Sequence, residues 1–195
     1  MKKVLYLIML ALALPAAAQR FDFSASAALN LCQIDGDHSA HYNKLGYRAG
    51  VNSSFQLGDS DFRFAVEVGV SQKGSHITYN GLDRRVATTY IEVPLMLCYN
   101  FNRLRIGAGI APAFLGKAVV KDSGIPNDEI AKTFRRMDIA PFVTDIQYLF
   151  TDHLGIDARW YNSLLPVAEG NSYRFNICNH GAFHRLLSIG VTCRF

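Results

Sequence analysis

Beyond its first eighteen residues this chain has no apolar run that would cross a bilayer as a helix, a span that takes about 20 residues. Helical periodicity is scarce throughout. Neither a G-x-S-x-G elbow nor an H-E-x-x-H pair is present, so the nucleophile and zinc sites that those motifs build are excluded. Neither charge dominates. The 195 residues hold 20 Lys and Arg against 16 Asp and Glu, and without Lys2 and Lys3 in the leader the basic count falls to 18. That balance gives no reason to expect a nucleic-acid partner. Cysteine is limited to Cys32, Cys98, Cys178 and Cys193, which show no clear disulfide framework; export permits a bond between Cys32 and Cys178, and sequence does not establish the connectivity. Neither an enzyme nor a cofactor is expected.

The leader reads as an export signal. Lys2 and Lys3 precede Val4–Leu14, an apolar run of 11 residues. That is about half the length a spanning helix needs. Ala16, Ala17 and Ala18 then offer an A-x-A cleavage site, which divides the chain into a signal peptide (1–18) and one mature domain (19–195).

What is present is a rhythm. Eight runs alternate apolar and polar residues, and the gaps between them go long, short, long, short, long, short, long. The short gaps are 58–61, 102–103 and 151–153; the long ones are 35–44, 75–88, 116–136 and 163–182. Tight turns at one rim and long loops at the other predict an all-β fold, an eight-stranded antiparallel up-and-down transmembrane β-barrel. Alternate side chains of a strand point to opposite faces. One parity is apolar: Tyr47, Ala49, Val51 and Phe55 in the second run, Leu187, Ile189, Val191, Cys193 and Phe195 in the last. The sixth run is less clean, with Ala140, Phe142, Ile146, Tyr148 and Phe150 against Asp145 and Gln147.

The other parity holds Asp22, Arg48, Arg63, Glu67, Lys73, Glu92, Arg105, Asp145, Asp157, Arg159 and Arg194. Periodicity alone does not say which face is inside. The aromatics do. Phe21, Phe23, Phe55, Phe62, Phe64, Tyr99, Phe101, Tyr148, Phe150 and Phe195 share the apolar parity and lie near the short-turn rim or a terminus. A belt of rings at one height suits a membrane interface; a soluble core would spread them through its depth. The charged set is therefore expected to line the interior as a polar network. Eight strands leave a lumen that side chains fill, so an open pore is not expected.

Three motif groups carry a family resemblance: GYRAG at 46–50; FAVEVGVSQKG at 64–74; and YIEVPLML at 90–97 with Tyr99 and Phe101, together with the terminal Arg194 and Phe195. The sequence resembles the small outer-membrane β-barrel proteins typical of Bacteroidetes, the porin-like or PorT-like group. The resemblance implies an outer-membrane location and outer-membrane lipid as surroundings. It implies that Phe195 serves as the signal read by the outer-membrane insertion machinery. The group's association with secretion machinery implies an envelope protein partner as one further role. A monomer is expected.

Pro94, Pro112 and Pro141 fall inside the fourth, fifth and sixth runs at similar height. Proline cannot donate to a ladder and belongs at edges or bulges. Bulges are the first expectation; a lateral opening for lipid, as in a lipid-handling barrel, is the alternative. Asp35, Asp37, His38 and His41 crowd the first long loop, and Cys178 and His180 the fourth; their spacing fits no standard metal site, and a solvated loop is expected. Lys117, Lys121, Lys132, Arg135 and Arg136 make the third loop basic, diluted by Asp122, Asp128 and Glu129. A mixed solvated loop is expected there, with contact to anionic glycolipid as the alternative. His76, His180, His184 and Ser172 are expected at the loop rim. Cys98 is expected inside, Cys193 facing lipid, and Cys32 near Cys178.

A folded membrane barrel resists detergent until heated. The mature protein is expected to migrate differently boiled and unboiled on a detergent gel; identical migration, with the protein soluble, would invert the facing assignment.

Overall fold

The computed structural model describes residues 21–36, 41–79, 81–172 and 181–195. The leader, with Lys2, Lys3 and Ala16–Ala18, lies outside the described residues, as do Asp37, His38, Cys178 and His180. The elements are β1 (Phe21–Asp35), β2 (Lys44–Gln56), β3 (Phe62–Tyr79), β4 (Leu82–Glu92), β5 (Leu95–Phe101), β6 (Leu104–Asp122), β7 (Ile125–Pro126), α1 (Asp128–Lys132), β8 (Met137–Leu149), β9 (Leu154–Asn162), β10 (Ala168–Ser172) and β11 (Gly181–Arg194). Among the described residues no helix is long and apolar enough to cross a membrane.

Every wall pair is antiparallel, and the order is that of the chain. β1 pairs β2, β2 pairs β3, β3 pairs both β4 and β5, and these pair β6; β6 pairs β8, β8 pairs β9, β9 pairs β11, and β11 returns to β1. Counting β4 and β5 as one strand interrupted at Val93–Pro94, the ring has eight members. Closure leaves no unpaired edge in the wall.

One of the expected long loops is mostly strand, and another begins as strand. β3 and β4 continue as a hairpin to Tyr79 and Leu82, and β6 runs to Asp122 before its turn to β7. Alternation marks a strand only while one face stays dry. The inner face of the hairpin stays dry as far as Ser75 and Val86; beyond them both faces meet polar surroundings, so His76, Thr78, Asp83, Arg84 and Arg85 show no apolar rhythm, although β-branched residues still favour extension.

The three prolines do not behave alike. At Pro141 the register slips: Gly109 pairs Val143, but Ala111 pairs Ala140, so β8 has one extra residue there. This bulge switches the facing of the strand. Ala140, expected toward lipid, is buried in the lumen, while Phe142 is 63% exposed. Pro112 stays in the ladder opposite Ile139. Pro94 interrupts the strand without changing register, since Glu92 pairs Ala113 and Leu95 pairs Ile110. Hydrogen bonds cross the patch on both sides: Val93 N–H donates to Pro112 O at 2.9 Å, and Glu67 N–H to Pro94 O at 3.0 Å. The ladder is hydrogen-bonded across Pro94 and Pro112, and Pro141 marks a bulge.

The barrel is inside out. Val51, Val68, Ile91, Ile106, Ile146, Ile189 and Val191 are exposed around the whole circumference. A soluble monomer does not carry an apolar band that circles the molecule; hydrocarbon around the wall removes the cost. Rings form a girdle at the short-turn rim, with Phe21 5.8 Å from Phe55, Phe55 5.7 Å from Phe64, and Phe62 5.0 Å from Tyr99. A sparser set, Tyr47, Trp160, Phe142 and Phe114, is exposed toward the loop side. Two girdles flanking an apolar band are the signature of a membrane barrel.

A Cβ at Gly109 would overlap the Leu95 carbonyl oxygen across the wall. Gly109→Ala is expected to cost about 1–3 kcal/mol through overpacking, read as a lowered midpoint in urea unfolding from vesicles; an unchanged midpoint would contradict the close approach.

Candidate functional site

The polar parity meets in the lumen as layers. In the middle layer Glu67 on β3 takes two guanidinium groups. Arg159 on β9 binds it with both terminal nitrogens, Nη1 to Oε1 at 2.9 Å and Nη2 to Oε2 at 2.7 Å. Arg48 on β2 reaches the same Oε1 at 3.3 Å. Arg159 Nε also donates to Asp145 on β8 at 3.1 Å, and Arg48 pairs Asp157 on β9. Gln147 donates to the free oxygen of Asp145 at 2.8 Å, and Ser188 and Ser26 accept from Arg48. These five charges have side chains at most 4% exposed. In so dry a place an unpaired charge would be costly, and pairing makes the layer tolerable, although Asp157 Oδ1 has no hydrogen-bond partner.

Toward the short-turn rim, Arg63 pairs Asp22 at 2.7 Å. Arg105 donates to Asn100 at 3.0 Å and to Ser54 Oγ at 3.0 Å. Arg194, last of the inward set, is half-buried. Toward the loop side Lys73 is fully buried. Its Nζ lies 2.6 Å from Glu92 Oε1, 3.6 Å from Asp138 Oδ2 and 3.4 Å from the centre of the Tyr161 ring. The Tyr161 and Ser163 hydroxyls both donate to Asp138 Oδ2, at 2.9 and 2.8 Å.

This upper layer adds Tyr90, Asp138, Tyr161 and His184 to the expected inward set; Tyr90, Tyr161 and His184 continue the inward parity of their strands, and only Asp138 departs from it. Asp138 sits two residues before Ala140, on the far side of the Pro141 bulge, so its facing is the reverse of what the rest of β8 suggests. The proline itself was the available signal. His184, expected at the loop rim, is buried instead, with Nε2 3.3 Å from Thr88 Oγ1 and its ring against Tyr90. An apolar cluster also shares the lumen: Cys32, Ala65, Met96, Cys98, Ala111, Ala140, Val143, Tyr161 and Leu186.

Above the Lys73 layer the lumen is capped by carbon. Ile34, Val86, Val120, Phe134, Val167 and Ala182 are buried together, with Ile130 and Ala131 of α1 packed on them. Outside this cap the loop-side charges form short pairs. His76 Nε2 lies 2.6 Å from Asp83, Arg84 grips Asp122, and Arg185 meets Asp35 at 3.1 Å. Asp35 is thus engaged by Arg185, and His41 is exposed. Among the described residues no group of three or more His, Cys, Asp or Glu is placed to hold a metal. Ser172 ends β10. Cys98 is buried and Cys193 exposed.

A family model described as an outer membrane protein beta-barrel domain matches residues 17–169. No curated protein matches the chain. Among solved structures, a neisserial surface protein, NspA, is similar with a TM-score of 0.53 at 15% identity, covering 89% of this chain and 97% of that one. The attachment invasion locus protein Ail of Yersinia pestis is similar at 0.52 and 14% identity, covering 89% of this chain and 98% of its own. At such identities the likeness is one of fold.

Glu67 is the shared acceptor of both arginines. Glu67→Ala leaves two buried guanidinium groups short of a partner and is expected to destabilise the barrel by about 3–5 kcal/mol. Glu67→Gln keeps an acceptor oxygen and is expected to lose less. Urea unfolding in vesicles reads both, and equal losses would show that the charge is immaterial.

Proposed function

This chain belongs to the family of outer membrane proteins with a β-barrel domain, and from that membership we propose that it is a closed, non-catalytic surface barrel. Its place is the outer membrane. The strands anchor it there, and the loop side is the working face. One observation carries the reading. The lumen is occupied along its depth, by the Arg63 and Arg105 layer, the Arg48–Glu67–Arg159 clamp and the Lys73 layer, and is then sealed by the cap around Phe134. An eight-stranded barrel has room for side chains or one small ligand, and here the side chains take that room. Solute passage and lumen chemistry are both disfavoured, which leaves the exposed rim to do the work.

The similar barrels support an outward role: one is named a surface protein, the other after attachment and invasion. Kinship with the PorT-like group rests on the sequence motifs alone. By the same resemblance, Phe195, exposed at the end of the chain, is the signal for the insertion machinery, and an envelope protein is the partner of a second, accessory role.

Proteoliposomes carrying the folded protein are expected not to swell in an isosmotic solution of a small sugar, and planar bilayers to show no stepwise conductance. Swelling or discrete openings with the unaltered protein would overturn the closed-barrel reading.

A further inference from the structure

We infer that the loop rim carries a site for the phosphate-bearing headgroup of an outer-leaflet lipid, formed by Lys117, Lys132 and Arg136 around the pocket between β6 and α1. The inference rests on the reading that the loop side faces outward. The pocket is open to solvent and has a volume of about 520 Å³, within the range of small-molecule sites. Its walls are Lys117, Lys132, Arg136 and Asp128, and its floor includes Leu115, Ala118 and Phe134.

Charge is the first argument. Sequence alone spreads acid and base evenly through this segment, but folding separates them. Asp122 is taken by Arg84 in a two-pronged bond, Nε to Oδ1 at 2.7 Å and Nη2 to Oδ2 at 3.0 Å, and also accepts from Asn127 Nδ2 at 2.8 Å. It lies above the membrane-spanning part of its strand. The hydrogen bond from Arg84 holds its carboxyl below the usual carboxylate range. Glu129 does not line the pocket. Lys117, Lys132 and Arg136 are all exposed and have no ion-pair partner among the described residues. Three cations therefore face one carboxylate, Asp128. Arginine's planar fork suits a phosphate, and lysine adds a point charge.

Height is the second. Phe114 and Met137 pair directly across β6 and β8, and both are exposed, at 51% and 43%. They belong to the upper edge of the apolar band. Arg136 is the next residue after Met137 on the loop side, and Lys117 follows Phe114 by three. At about 3.3 Å per residue along strands tilted by about 40°, the Arg136 and Lys117 backbones stand roughly 2–8 Å above the apolar edge. That is headgroup depth, where basic pockets on membrane proteins meet lipid phosphates.

Rigidity is the third. Leu115 N–H donates to Arg136 O at 2.8 Å, and Asn127 N–H to Val120 O at 2.8 Å. Asn127 Oδ1 caps α1 by accepting from Ile130 N–H at 3.2 Å. Ile130 and Ala131 pack on the cap cluster that includes Phe134. The loop that presents Lys132 is thereby tied to the barrel, so less ordering is needed on binding. The floor is apolar, which suits the sugar face or upper acyl chain that lies beneath a membrane phosphate.

The test uses the full mature protein in phosphatidylcholine nanodiscs containing graded amounts of diphosphorylated lipid A, with retained lipid counted by native mass spectrometry. The double variant Lys132→Ala with Arg136→Ala is expected to bind at least about tenfold more weakly, as the loss of two charged hydrogen bonds implies. Lys117→Ala alone is expected to weaken binding in the same direction. Lys121→Ala with Arg135→Ala removes the same charge from residues that do not line the pocket, and is expected to change affinity less than about twofold. Dephosphorylated lipid A is expected to bind all forms equally. Equal losses in both double variants would reduce the site to diffuse attraction and overturn the inference. So would unaltered binding in the pocket variant, or full displacement of the lipid by millimolar inorganic phosphate, which would mark a free-anion site. Each variant is checked for the heat-dependent mobility shift. Failure of the closed-barrel reading appears independently, as solute entry in the swelling assay.

Discussion

Two arginines on different walls share one carboxylate. Arg48 comes from the strand beside Glu67, and Arg159 from across the lumen. Arg48 then reaches across to Asp157, so β2 and β3 are bound to β9 by charges that water hardly touches. Hydrocarbon outside gives the wall no hydrophobic reason to close around an apolar core. The interior must then be held by polar groups that satisfy one another, and the ring of backbone hydrogen bonds supplies the container. Most of the structure follows from that inversion: apolar side chains outward, ionic layers inward, rings at the rims.

Charge balance shows how complete the arrangement is. The alternation picks out six inward cations and five inward acids. Asp138, which the bulge at Pro141 turns inward, is the sixth acid, and it stands beside Lys73 and Glu92. The proline thus does more than shape the wall. It changes which residues of β8 face the lumen, placing a carboxylate at the height of a fully buried lysine. Pro94 and Pro112 sit beside it in a ladder that stays in register, and their carbonyls accept the hydrogen bonds that keep it closed.

The two rims differ because their surroundings differ. At the short turns, girdle and ladder end together. At the loop side β3, β4 and β6 continue past the apolar band as a polar hairpin, and α1 folds back onto the carbon cap. That return sorts the charges of the third loop. Asp122 goes to Arg84 on the hairpin, while Lys117, Lys132 and Arg136 are left around an open pocket just above the exposed Phe114 and Met137.

The strand count, the position of the tight turns and the facing of most residues are legible in the chain before any folding is known, because a period of two written over a membrane-thick stretch leaves little freedom. Arg48, Glu67, Asp157 and Arg159 are legible from that period alone. Their partners are not: Arg159 and Glu67 are 92 positions apart, and only closure of the ring sets β9 opposite β3. Tertiary structure also decided everything beyond a break in the period. The bulge at Pro141 reversed the facing of Asp138 and Ala140, and His184 moved from the expected rim into the lumen. Beyond the carbon cap the period itself disappears, since neither face of the hairpin tip is dry, and the length of the β3–β4 hairpin became visible only in the pairing. Alternation reports which side of a strand avoids water; it says nothing about which charge meets which, or where a loop returns to, because those depend on the closed shape.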